Sequence, residues 1–314
     1  MTKPVVLVTG PLPQGTLDKL AALFDLRKLW EAPDRERFLR EQCGEVRGIA
    51  TRSMVGADAK LIAALPKLEI VATFGAGLDA VDFDAARRRG LRVAHTPGVI
   101  TEEAADFVIG LVFALGRRIV EGDRFVRAGQ WEKTPFPTST RVRGKTLGIV
   151  GLGSIGRAVA TRAAALGLDV RYQGPSRKAD VPYAYDRDVL SLARAADFLV
   201  LTCPLNAQTK GVVNAAVLEA LGPRGYLINV ARGPVVDTPA LIEALKAKRI
   251  AGAALDVFDD EPQVPAELRM LDNVVLTPHI AVVTDETRAD MGDLMIANLE
   301  AHFLGKKDLP SAAL

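Results

Sequence analysis

Sulfur is scarce in this chain. Only two of its 314 residues are cysteine, Cys43 and Cys203. They stand far apart, which excludes a disulfide scaffold and reads as reduced, buried thiols of a cytoplasmic protein. No metal is expected. No apolar run reaches the length of a membrane span, and "MTKPVVLVTG" passes directly into a strand-like run, so neither an anchor nor a signal peptide is expected. An excess of charge of one sign is equally lacking: 40 basic against 38 acidic residues leave a net charge of +2. That balance gives no case for nucleic acid or a membrane surface as partner. Short-period repeats and low-complexity tracts are absent. What remains is 49% apolar and 25% charged, the profile of an ordinary globular protein long enough for two domains.

Strand-like and helical stretches alternate throughout. "PVVLVTG", "VRGIATR", "LEIVATF" and "LRVAHTP" read as strands, with "TLDKLAALF", "ADAKLIAAL" and "FDAARRRG" as helices between them. Such alternation implies an α/β protein with parallel sheets and helices on both faces. One long helix is expected over "TEEAADFVIGLVFALGRRIVEGDRFVRAG", with Glu102 and Glu103 at its positive end. A fresh strand–turn–helix follows at "KTLGIVGLGSIGRAVATRAAALG". Four more strand-like runs come next, "FLVLTC", "GYLINVA", "AGAALDVF" and "NVVLTP". The closing helix, "DETRADMGDLMIANLEAHFLG", has no sheet of its own and is expected to pack on the first unit. The boundaries fall near residues 98 and 285. Residues 1–98 with 285–314 make one domain and 99–284 the other.

Gly151, Gly153 and Gly156 form G-x-G-x-x-G between a strand and a helix. Gly151 permits the tight turn, Gly153 lets backbone approach a pyrophosphate, and Gly156 lets helix and strand pack closely. The helix N-terminus, at Ser154 and Ile155, then offers free N–H groups to the phosphates. An acid about twenty residues on would bond the adenosine ribose of NAD and repel a 2′-phosphate. That place is Gly174, followed by Ser176, Arg177 and Lys178. A hydroxyl and two cations in place of the acid favour NADP(H), with NAD(H) as the weaker choice.

Arg232, Glu261 and His279 each follow a strand of the second unit. In an open α/β sheet, ligands lie outside the carboxyl ends of the strands. Reducing a 2-keto acid needs a proton on oxygen, which a histidine beside a carboxylate can supply. It also needs a guanidinium for the substrate carboxylate. "FGAGLD" could add the backbone N–H groups of Ala76 and Gly77. Met54, Val55, Phe74 and Leu78 are expected to face the substrate's side chain. His95 and His302 read as structural or solvated.

"FGAGLDAVD", "HTPGV", "GIVGLGSIG", "LINVARGPVVD", "ALDVFDDEP" and "LTPHI" resemble, in order and over nearly the whole chain, the successive signatures of the D-isomer-specific 2-hydroxyacid dehydrogenase family. The resemblance is greatest to its glyoxylate/hydroxypyruvate and hydroxyphenylpyruvate reductases. It implies two Rossmann-like domains, the substrate domain made from both chain ends. It implies that Arg232 binds substrate, that Glu261 pairs with His279, the acid/base, and that Asp256 meets the nicotinamide carboxamide. Cys203, Pro204, Val230 and Ala231 would line the cofactor cleft. A homodimer through the long helix and the loop after it is also implied, with Trp131 near the partner's site. An NAD-linked dehydrogenase of phosphoglycerate type and a corepressor-like binding protein are the alternatives.

Overall fold

The computed structural model describes residues 2–314. Contacts divide the chain into two compact units, one ending at Ile100 and resuming over Val283–Leu314, the other Thr101–Val282. In the first unit the elements run β1 (Val5–Val8), α1 (Gln14–Leu23), β2 (Asp25–Lys28), α2 (Arg35–Gln42), β3 (Val46–Arg52), α3 (Ala59–Ala64), β4 (Ile70–Phe74), α4 (Phe83–Arg88) and β5 (Arg92–Ala94). The strands form a parallel sheet in the order β2-β1-β3-β4-β5. Asp34, Asp58 and Asp82 start α2, α3 and α4, each carboxylate accepting a backbone N–H three residues on, which satisfies donors the helix leaves open.

The second unit runs α5 (Thr101–Gly116), α6 (Ile119–Arg127), β6 (Thr146–Val150), α7 (Ser154–Ala165), β7 (Asp169–Gln173), β8 (Ala184–Asp186), α8 (Val189–Ala195), β9 (Phe198–Leu201), α9 (Ala215–Leu221), β10 (Tyr226–Asn229), α10 (Thr238–Lys246), β11 (Gly252–Leu255), α11 (Ala266–Arg269) and β12 (Val274–Leu276). Its parallel sheet has the order β12-β11-β10-β9-β6-β7-β8. The four central strands β6, β9, β10 and β11 are buried almost throughout, as expected of a parallel sheet covered on both faces. Leu192, Leu218 and Leu241 pack against one face, and Val108, Val112 and Val159 against the other.

The long helix expected from Thr101 is two helices. The Gly116 carbonyl accepts the N–H of Thr140, in a distant loop, at 2.8 Å. Arg118 then takes the left-handed conformation, φ 52°, and pairs with Glu121 at the start of α6. The carbonyl that would carry the helix forward is therefore already engaged.

The last helix, α12 (Asp285–Phe303), belongs to the first unit. Met291, Met295 and Leu299 lie in the same core as Leu20, Ile70 and Ala72. Beyond it the chain returns to β5, where Val93 donates to the Leu314 carbonyl at 3.0 Å.

Candidate active site

The strand ends of the second unit stand level. Val150 lies opposite Gln173 and Leu201, Leu201 opposite Asn229, Asn229 opposite Leu255, and Leu255 opposite Leu276. Gly151, Gly174, Thr202, Val230, Asp256 and Thr277, which follow these strands, therefore emerge along one edge. That edge contains the point where strand order reverses, between β6 and β9, which is where such sheets take ligands.

At Gly151 the backbone has φ +96°, and a Cβ there would come within 2.7 Å of Cys203 Cα. A Cβ on Gly156 would meet the Gly151 carbonyl oxygen at 2.3 Å. The Thr202 hydroxyl donates to that same oxygen at 2.7 Å, fixing the turn. Gly153 differs: a Cβ there would meet nothing within 4 Å. It caps α7 without a side-chain bond, so the first N–H groups of the helix, those of Ser154 and Ile155 among them, have no side-chain cap at its positive end. Two glycines forced by close packing and one fronting open space fit a pyrophosphate cradle.

Cys203 lies against this turn, and burial pushes its thiol up to about 11. Pro204 is exposed, Val230 half-buried and Ala231 buried. Asn229, buried at the last position of β10, shapes the turn that follows. Its amide donates to the Arg232 carbonyl at 2.9 Å and its oxygen accepts the Ala231 N–H at 3.0 Å. The Arg232 guanidinium reaches the Ala231 carbonyl at 2.6 Å. Gly233 then packs directly on the Phe258–Asp259 backbone, with room for no side chain.

Glu261 and His279 meet: Nδ1 of the imidazole lies 2.7 Å from Glu261 Oε2, and Glu261 Oε1 accepts the Phe258 N–H at 3.0 Å. A carboxylate accepts only, so Nδ1 carries the hydrogen and Nε2 is left for chemistry. His279 has φ 56°, a strained conformation for a residue with a side chain and one that concentrates at functional sites. Asp256 holds that strain. It is 1% exposed, and its carboxylate accepts the Thr277 hydroxyl at 2.7 Å, Ile280 N–H at 2.8 Å and Ala281 N–H at 2.9 Å. The family resemblance implies only a cofactor contact for Asp256. Its grip on the His279 loop, and the work of Asn229 and Thr277, went unread. The one signal was a polar residue closing the apolar "YLIN".

In the first unit, Met54 and Val55 follow β3 and are exposed. The loop after β4 is pinned from β5: Thr96 Oγ1 accepts the Gly75 N–H at 2.8 Å, and His95 Nδ1 donates to the Ala76 carbonyl at 2.9 Å. These bonds do not use the N–H groups of Ala76 and Gly77. Phe74 corrects the expectation that it faces a substrate, whereas Leu78 is half-buried. Phe74 is 8% exposed within the core around Leu20 and Ile70, and Leu78 packs against the opposite core. Side chains alternate across a strand, and the last position of β4 turns inward. His302 bonds Glu69 at 2.9 Å.

Ser176 and Arg177 are exposed and Lys178 half-buried, all in the loop after β7. No helix among the described residues is long and apolar enough to cross a membrane.

A doubly wound parallel sheet bearing a glycine cradle and an acid/base pair on one edge defines a dinucleotide-binding oxidoreductase. Comparison with known proteins carries this further. The model of the "D-isomer specific 2-hydroxyacid dehydrogenase, NAD binding domain" matches residues 109–281. Glyoxylate/hydroxypyruvate reductase A of Arabidopsis thaliana is 46% identical over 301 residues, 96% of each chain. Hydroxyphenylpyruvate reductase of Plectranthus scutellarioides is likewise 46% identical over 301 residues. Among solved structures, an NADPH-dependent glyoxylate/hydroxypyruvate reductase of Sinorhizobium meliloti, in complex with NADP and malonate, superposes with a TM-score of 0.93 at 39% identity, covering 99% of this chain and 97% of that one. The chain belongs to the D-isomer specific 2-hydroxyacid dehydrogenase family.

Proposed function

We propose that the protein reduces a 2-keto acid, such as glyoxylate, hydroxypyruvate or an aryl pyruvate, to the D-2-hydroxy acid, with NADPH as reductant. The His279–Glu261 pair, on the same sheet edge as the glycine cradle, carries the reading. The nicotinamide, when bound, supplies the hydride to the keto carbon. His279 gives the proton to the keto oxygen from Nε2, and Glu261 orients the ring and balances the imidazolium charge. Arg232 holds the substrate carboxylate by paired N–H bonds and polarises the carbonyl. Asp256 Oδ2 accepts one bond and keeps a lone pair for the carboxamide of the cofactor. Ser154 and Ile155 bond the pyrophosphate, and Cys203, Pro204, Val230 and Ala231 flank the dinucleotide. In the first unit, Met54, Val55, Ala76 and Gly77 stand where their own sheet takes ligands, the last two with N–H groups suited to an anion.

Preference for NADPH is supported by Gly174 in place of an acid, by the exposed Arg177 and half-buried Lys178 after it, and by the NADPH-dependent Sinorhizobium relative. The protein is further read as a cytoplasmic homodimer. Exposed Ile119, Val126 and Trp131 on and after α6 favour the dimer, and two free buried thiols favour a reducing compartment. The test is loss of NADPH absorbance with glyoxylate, hydroxypyruvate and phenylpyruvates, run in parallel with NADH. Turnover of at least one keto acid, faster with NADPH, is expected. No turnover of any, or an undiminished rate in His279→Ala, overturns the scheme.

A further inference from the structure

We infer that Tyr172 and Tyr185 are positioning residues for the 2′-phosphate of NADPH: their hydroxyls hold the loop that presents Ser176, Arg177 and Lys178. The inference rests on the NADPH reading above. Tyr172 lies in β7 and Tyr185 opposite it in β8. Their rings pack with centroids 5.3 Å apart. Tyr172 is fully buried, yet its hydroxyl is not idle. It accepts the backbone N–H of Lys178 at 2.6 Å. The hydroxyl of Tyr185 donates to the Gly174 carbonyl at 3.1 Å. The loop is thus fastened at both ends from beneath, by groups that touch backbone only. A third tie lies just beyond, where Arg157 on α7 grips Asp180 through paired bonds of 2.8 and 3.1 Å.

The physical need is plain. Arg177 and Lys178 are adjacent like charges on a loop that begins with Gly174 and Pro175. Their backbone would spread over many conformations, and few of these aim both cations at one phosphate. Ordering that backbone in advance removes a cost otherwise met on binding. Phenylalanine fills the same volumes, so the two hydroxyls serve the loop rather than the core. Because they act through backbone, they affect only a ligand that reaches the loop. NADPH reaches it with its phosphate, whereas NADH presents only a ribose hydroxyl there.

The experiment compares Tyr172→Phe, Tyr185→Phe and the double variant Arg177→Ala/Lys178→Ala with wild type. Calorimetry gives the Kd of adenosine 2′,5′-bisphosphate, which carries the phosphate and no nicotinamide. Kinetics give KM and kcat for NADPH and NADH. Each Tyr→Phe change is expected to raise the bisphosphate Kd about three- to tenfold, the effect of one net hydrogen bond. The NADPH KM should rise by a similar factor relative to the NADH KM, with kcat for NADPH within about twofold of wild type. Equal losses for both cofactors would make the tyrosines merely structural and overturn the inference. A shifted cofactor ratio in the Arg177/Lys178 variant with no shift in either Tyr→Phe variant overturns the clamp and leaves the NADPH reading standing. No shift in any variant overturns both. Should Tyr172→Phe fail to fold, Tyr185→Phe, whose ring is half-buried, decides the matter.

Discussion

Single side chains at the carboxyl edge of the second sheet divide into those that react and those that hold. His279→Ala removes the proposed proton donor and leaves the fold's caps and core in place, so kcat should fall by about 10²–10⁴-fold, as measured by steady-state keto acid reduction. Glu261→Gln can still accept from Phe258 and should lose less. Asp256→Ala strips three donors of one buried acceptor and releases the strained His279 backbone. It should cost activity and about 3 kcal/mol of stability together, visible as lost turnover and a lower denaturant midpoint. Cys203 adds a pH effect. Burial lifts its thiol from 9.0 to about 11, so the unfolded chain gives up this proton first as pH rises. Stability from this group is complete below about pH 9 and declines towards pH 11, by up to roughly 2–3 kcal/mol. Denaturant unfolding between pH 8 and 11 should show a shallower decline in Cys203→Ala than in wild type. Native Cys203 should also resist iodoacetamide at pH 7.

The strand β6, its turn and α7 make one element with sharply different tolerances along it. Gly151→Ala drives a methyl into the Cys203 backbone from a left-handed position and should destabilise the fold outright. Gly153→Ala meets open space with an ordinary φ of −82°. It should melt close to wild type, yet bind NADPH far more weakly, because the methyl occupies the phosphate's approach; thermal melting with and without NADPH separates the two. Much at this scale was legible in the chain. Buried parallel strands write themselves as "TLGIV", "FLVL" and "YLIN", and glycines at fixed spacing mark the cradle. What escaped reading were edge elements. β2 is "DLRK", β8 is "AYD" and α2 is "RERFLREQ" with no buried residue, so none carries an apolar pattern to see. The break at Arg118 escaped for another reason: its cause is a bond from Thr140, distant in sequence. The same holds for Asp256, whose donors lie on the next strand's loop, and for the tyrosine hydroxyls, which look in sequence like two more core aromatics.

At the scale of the molecule, the first unit is completed by the far end of the chain. Leu309 sits in its core, and Ala312 bridges Ala94 while Ala313 donates to the Val93 carbonyl. Asn298, fully buried, accepts from the Ser311 N–H at 3.0 Å and donates to its hydroxyl at 2.8 Å. Deleting residues 309–314 should uncover the β5 edge and lower the melting temperature by several degrees, since about 1 kcal/mol is worth 2–4 °C at this size; differential scanning calorimetry is the measurement. Adding the deleted hexapeptide back should not restore it, because a tethered segment has an effective concentration that a free peptide lacks.

Val283–Leu314 lying with the first unit, beyond Thr101–Val282, also sets an order of maturation on the ribosome. The dinucleotide-binding unit emerges entire and can close while the earlier-made sheet still waits, its apolar flank uncovered until α12 clears the exit tunnel. For that interval the nascent chain is half finished in an inverted sense: what was translated first matures last, and a pause late in translation would prolong its exposure to chaperones and aggregation.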